Sequence, residues 1–384
     1  MSRRRAVIAA VIVVAVAVTA VAALFFTGAR MPSSPTAEPA GSTSAEPGEP
    51  RSDWTATELG QSFLAEWVDD GRVVRRDQGN DTVSEGQAYG MLIALAVDDE
   101  ESFDEIWSWT QQNMVRPDGL LAWRWSDGEV IDDEPASDAD LDVARALVLA
   151  GAAFDSPDYV DDGHALAGGI LDSMTVQTDA GRILLPGTWA AGTQPYAYNP
   201  SYSSPAAFAV LGESTGDARW TELQQGSAVV TTTILNQTDL PPDWAQVNPD
   251  GRVDAMAGAA GTGEDVRYSY DAARLPVRYA ESCDPADREL AAQLVDPLSR
   301  QQLLPAELDL GGTALAEAVH PLAYAARAAA VASAGDTAAA MDDLDAGVAV
   351  LDESPTYYGA AWAALAPLML QSDRLGGCPI LEGA

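Results

Sequence analysis

From Asp53 onward apolar residues recur at steps of three and four, interrupted by short runs rich in Gly, Pro and Asp. That period is helical, and the alternating branched runs that mark strands are few. The spacing predicts helices over 57–69, 84–97, 101–114, 138–154, 159–175, 204–214, 216–236, 267–280, 285–300, 314–334, 336–351 and 357–371. With no linker inside 53–384, these twelve fit one all-α domain of paired helices. They are of two kinds. Residues 141–153 are apolar almost all round apart from Asp142 and Arg145, as befits a helix inside a larger assembly, whereas Glu101–Met114 is amphipathic. Alternating inner and outer helices is what an (α/α) toroid requires, and a solenoid of helix pairs has the same composition.

The first 52 residues break the pattern. Arg3, Arg4 and Arg5 precede an unbroken apolar run from Ala6 to Phe26, which is long enough to cross a bilayer. Residues 1–31 are therefore expected to be an N-terminal anchor with its start in the cytoplasm. The alternative is a cleaved signal, for which Thr27-Gly28-Ala29 offers a poor cleavage site. Either way the remainder is exported, to the outer side of the membrane or beyond it. Residues 32–52 consist of small, polar and Pro residues. They cannot bury enough apolar surface to offset ordering entropy, so a disordered tether is expected.

Charge narrows the partners. The net charge is -37 and Arg supplies every positive side chain. Nucleic acids and anionic membrane surfaces need clustered cations, so neither is an expected partner, and membrane contact is confined to the N-terminal segment. A monomer is expected. Outside the cell Cys283 and Cys378, the only cysteines, can pair. The bridge would close a loop of about 95 residues, worth about 4 kcal/mol in chain entropy.

Three stretches carry candidate chemistry. In Val83-Ser84-Glu85-Gly86-Gln87, Ser84 reads as an N-cap with Gln87 as its capping-box partner, which puts Glu85 in the first helical turn. A Glu there ordinarily meets only the helix dipole and becomes a weaker acid catalyst. To donate a proton it must be raised by burial or by a second carboxylate. In Ala136-Ser137-Asp138-Ala139-Asp140, Ser137 reads as a cap with Asp140 as its partner, and Asp138 opens an otherwise apolar helix. Uncompensated charge there is costly, so Asp138 is expected to face a wet cleft. In Tyr270-Asp271-Ala272-Ala273-Arg274, Asp271 and Arg274 stand at i, i+3, the spacing of a plain ion pair. Tyr270 adds a hydroxyl beside Asp271, and loop aromatics Trp123, Trp125, Trp189, Tyr196, Tyr198 and Tyr202 suit stacking on pyranose faces. His164 and His320 are the only histidines and lie far apart, so no metal and no cofactor is expected.

Taken together and in this order, the three motifs, with Asn199-Pro200-Ser201-Tyr202 between the second and third, resemble the signatures of glycoside hydrolase family 8 over about residues 54–372. Val143 and Ser203 depart from the usual pattern. The resemblance implies an (α/α)6 barrel and cofactor-free, inverting hydrolysis of β-1,4-linked glycans. It implies Glu85 as general acid, Asp271 as base and Asp138 as the residue gripping the distorted sugar. Tyr202, Arg274 and Trp123 would support the site, and with Trp189 and Tyr270, read from the residues themselves, they are the expected substrate-binding side chains. Inversion sets the Glu85 and Asp271 carboxyl groups about 6.5–9.5 Å apart, leaving room for water. A cellulose-like β-1,4-glucan is the expected polysaccharide substrate, for endo cleavage. Xylan, mixed-linkage glucan and chitosan are alternatives, as is a tethered glycan-binding protein without turnover.

Overall fold

The computed structural model describes residues 51, 54–259, 261, 265–301 and 303–382. The anchor and nearly all of the tether expected from sequence lie outside them. In chain order the helices are α1 (Ala56–Trp67), α2 (Ser84–Ala96), α3 (Glu100–Asn113), α4 (Ser137–Ala153), α5 (Pro157–Ser173), α6 (Pro205–Thr215), α7 (Arg219–Leu235), α8 (Leu275–Ala280), α9 (Pro285–Ala292), α10 (Val295–Leu298), α11 (Pro321–Ser333), α12 (Thr337–Glu353) and α13 (Tyr357–Gln371).

Local chemistry sets many of these starts. Thr55 and Glu58 form a reciprocal capping box on α1, and Asp99, Asp336 and Thr356 cap α3, α12 and α13. Proline opens α5, α6, α9 and α11, where its missing N–H costs nothing.

Burial sorts the helices into two rings. α3 buries Phe103, Ile106, Trp107 and Thr110, a single i, i+3, i+4, i+7 stripe, so its other face meets water. α2, α4, α11 and α13 are buried along almost their whole length. Around the inner ring α2 packs on α4, α4 on α6, α6 on α8, α8 on α11, α11 on α13, and α13 back on α2. Outside it, α1, α3, α5, α7, α9 and α12 each pack on an inner neighbour. This is an (α/α)6 barrel.

A ladder of buried ion pairs runs between two inner helices. Asp138 meets Arg274, Asp142 meets Arg278 and Arg145 meets Glu281, each pair 136 residues apart in sequence. Both partners advance by i, i+4, i+7 in the same direction, so α4 and α8 run parallel. With outer and inner helices alternating, every outer-to-inner connection then reaches the same end of the barrel. Among the described residues all the strands occur in those connections, including the sheet Thr82–Val83, Arg124–Ser126, Glu129–Asp132 and the sheet Tyr196–Tyr198, Trp244–Val247, Val253–Met256. Long loops on a rigid scaffold are where sites form. Beyond the far end of α8, Cys283 is bonded to Cys378 and ties the C-terminal segment to the α8–α9 turn.

Three predicted helices are shorter than their spacing suggested. The 267–280 segment is helical only from Ala272, as a 3₁₀ turn that leads into α8. The 314–334 segment starts at Pro321, because the residue before a proline is driven extended, and His320 sits at φ −149°, ψ 143°. The 285–300 segment breaks between α9 and α10, where the ring of Pro297 opposes the carbonyl of Gln293.

Candidate active site

α2 emerges directly from the strand Thr82–Val83, so Glu85 lies in its first turn, as expected. The capping box does not form. Val83 is the N-cap residue and no side chain caps it. Gln87 turns into the wall, accepts from Val73 N (2.6 Å) and donates to Thr110 Oγ1 (2.8 Å) and the Gly71 carbonyl (3.1 Å). The start of α4 departs from expectation in the same way. Ala136 is the N-cap, and Asp140 accepts from Leu121 N at 2.9 Å instead of serving Ser137.

That long-range bond matters because it holds the segment bearing Trp123. The Trp123 carbonyl accepts from Ser84 N at 2.9 Å, and its indole donates to Glu85 Oε1 at 3.1 Å. Burial, reinforced by the charge of Asp138, pushes the Glu85 carboxyl up to about 7. The helix N-terminus, which would have lowered it, is outweighed.

Across the cleft Arg274 joins the other two acids. Its guanidinium donates to Asp138 Oδ2 at 2.7 Å and to Asp271 Oδ1 at 2.6 Å, so the i, i+3 pair is one half of a three-residue bridge. Tyr202 lies beneath the guanidinium, 5.2 Å from ring centroid to Cζ. Asp138 is buried rather than wet: burial raises its carboxyl, and Arg274 pulls it back. Its Oδ1 has no partner among the described residues. The Asp271 side chain is 35% exposed and can reach solvent. Burial, together with the charges of Asp138 and Asp271, drives the Tyr202 phenol well above its usual 10, so it stays a neutral donor in the middle of the site.

The remaining expected residues line the rim. Trp189 is 42% exposed on the 3₁₀ turn Thr188–Gly192. Thr188 beside it donates to Glu134, whose carbonyl holds Trp123 N. Tyr270 stands edge-on to His320 at 5.1 Å, and its carbonyl accepts from Tyr358 OH at 3.0 Å. Tyr196 and Tyr198 are buried instead of available to a sugar. Tyr198 bonds Ser203, which also donates to Ser227, so the departure at position 203 completes a buried hydroxyl chain. Trp125 packs edge-on to Trp109 with Arg72 over its ring. Burial pushes His320 down to about 4, keeping it neutral. No cluster of three metal-ligating side chains occurs among the described residues.

Sequence reading missed Tyr89, Asp243, Trp244 and Tyr358. Tyr89 OH is 3.4 Å from Arg274 Nη1, and Trp244 packs on Tyr202. Tyr89 lies two residues beyond the Val83–Gln87 stretch, in an apolar run that gives no sign of chemistry. Asp243 lies in Pro241-Pro242-Asp243-Trp244, a loop with no period to flag it.

Comparison with known proteins fits this geometry. The family model of glycosyl hydrolases family 8 matches residues 58–371. A probable endoglucanase of Novacetimonas hansenii is 36% identical over 217 residues, which are 54% of this chain and 62% of that protein. An endoglucanase of Pseudomonas fluorescens (strain SBW25) is 33% identical over 245 residues, 58% of each chain. The solved structure of endo-β-1,4-glucanase CMCax from Acetobacter xylinum aligns with a TM-score of 0.70 at 29% identity, covering 82% of this chain and 97% of that one. The chain spans about three fifths of the length of these two curated relatives.

Proposed function

Because the chain belongs to glycosyl hydrolase family 8, we propose that it cleaves β-1,4-linked glucan internally, with inversion at the anomeric carbon. The observation that carries this reading is the Arg274 bridge between Asp138 and Asp271, set beside a Glu85 carboxyl raised to about 7. Two acids in contrasting environments take contrasting roles. Glu85 transfers its proton to the glycosidic oxygen as the bond to C1 breaks. Asp271 takes a proton from the water that attacks C1 from the opposite face, and the two products carry a new anomeric hydroxyl and the protonated leaving oxygen. Asp138, buried and gripped by Arg274, fixes the guanidinium that reaches Asp271 at the edge of the sugar site. Trp123, Trp189, Tyr202 and Tyr270 supply ring faces and hydroxyls along the chain of sugars. The basic and apolar N-terminus supports export with retention at the membrane.

The test is a comparison of carboxymethylcellulose, mixed-linkage glucan, xylan and chitosan. Carboxymethylcellulose is expected to lose viscosity well before reducing ends accumulate, as internal cleavage requires. Proton NMR of fresh cello-oligosaccharide digests is expected to show the α-anomer first. Early β-anomer would reject inversion, and silence on all four polymers from folded protein would reject glucan hydrolysis. Retention of the protein in membranes through an alkaline carbonate wash checks the anchor.

A further inference from the structure

Asp243 lies outside the three motifs, in the wall behind Asp271. Its Oδ1 accepts two backbone bonds, from Ser269 N at 2.8 Å and from Ala272 N at 2.9 Å. Its Oδ2 accepts from the Ser269 hydroxyl, and its own N–H donates to the Arg267 carbonyl at 2.8 Å. One carboxylate thus grips both ends of a four-residue segment whose third member is Asp271. The segment's own backbone closes the turn through Ala273 N to the Ser269 carbonyl and Arg274 N to the Asp271 carbonyl, and Tyr358 OH ties the Tyr270 carbonyl from outside. The Ala272 amide at the mouth of the 3₁₀ turn has no intrahelical partner and would be an orphan donor without Asp243. The next residue, Trp244, packs on Tyr202 at 6.1 Å between centroids, and Tyr202 lies under Arg274. The same loop therefore supports the Arg274–Asp271 pair from two sides.

We infer that Asp243 is a positioning residue: it fixes the Ser269–Ala272 turn so that Asp271 presents its free oxygen to the attacking water, and it does not itself contact substrate. This rests on Asp271 as the base. The competing assignment is that Asp243 exchanges the proton itself. Burial and the charge of Asp271 do raise its carboxyl to about 6. Yet both its oxygens are occupied by donors from the turn, which aims them at the protein and away from the cleft. Misplacing a reacting group by about 1 Å can cost about 100-fold in rate, so a turn held this firmly has a kinetic purpose.

Length and charge of the side chain separate the two assignments. Asp243→Asn keeps the length: its carbonyl oxygen can take both backbone donors while its amide donates to the Ser269 hydroxyl. Asp243→Glu keeps the charge but is one methylene too long for the turn. On carboxymethylcellulose, with the full chain, Asp243→Asn is expected to retain kcat within about 3-fold. Asp243→Glu is expected to lose about 10- to 100-fold in kcat with KM changed less than about 3-fold, because the sugar-binding surfaces are untouched. Asp271→Asn, run beside them, is expected to be nearly inactive. If Asp243→Asn is as inactive as Asp271→Asn, Asp243 carries the proton and the inference is wrong. If Asp243→Glu turns over at the wild-type rate, the turn does not need this side chain and the inference is again wrong. Retained activity in Asp271→Asn would overturn the base assignment beneath it, an outcome distinct from both.

Discussion

Replacing Glu85 with Gln is expected to lower kcat on carboxymethylcellulose by about 10²- to 10⁴-fold, the usual contribution of a positioned acid, while KM and the unfolding temperature barely move. The amide is isosteric, and its oxygen can still accept from the Trp123 indole. What it lacks is a proton to give the leaving oxygen. The same residue sets the pH dependence. Burial and Asp138 raise the Glu85 carboxyl to about 7, so below that pH the acid is protonated and competent, and above it the proton is lost. Wild-type kcat/KM should therefore fall as pH rises through about 7, tenfold per unit at the limit. That limb should vanish from the residual activity of Glu85→Gln. A wild-type profile flat from pH 6 to 9, or a variant with unimpaired turnover, would remove Glu85 from the role of acid.

The periodic part of the fold was legible because a buried helical stripe leaves a repeat that survives without knowledge of its partner. Phe103, Ile106, Trp107 and Thr110 are such a stripe, and α3 lies where the spacing put it within a residue. The three acids were legible for another reason: Glu85, Asp138 and Asp271 sit in motifs whose order matched a family. Long-range choices were not legible. Ser84 and Ser137 look like caps, yet strand pairing and loop bonds supply competing partners for Gln87 and Asp140. The turn at 269–272 has helical spacing, but Asp243, 26 residues before Ser269, takes the donors that a helix would use. Strands of two to four residues are too short to display a period of two. Asp142 and Arg145 were visible as charges in an apolar helix, but their partners Arg278 and Glu281 stand 136 residues away and nothing local in the sequence names them.

That ladder yields the largest expected change in stability. Arg145 and Glu281 are both fully buried. The Arg145 guanidinium donates to both Glu281 oxygens, at 2.9 and 2.6 Å, and its Nε donates to the Leu375 carbonyl at 2.7 Å. Arg145→Met fills much of the same volume but leaves the Glu281 charge uncompensated and the Leu375 carbonyl without its donor. Removing one member of a buried pair costs about 3–5 kcal/mol, so the urea midpoint should fall steeply with the slope of the transition unchanged. Adding Glu281→Leu should recover most of the loss, because the penalty comes from the unpaired charge and not from absence of the pair. The recovery will stop short by about 1 kcal/mol for the orphaned carbonyl. Catalysis should be nearly indifferent, since Arg145 stands two helical turns, about 10 Å, from the Asp138–Arg274 end of the ladder. A loss under about 1 kcal/mol for Arg145→Met would mean that water reaches Glu281 once the arginine is gone, and the ladder would then hold the α4–α8 register without stabilising the barrel.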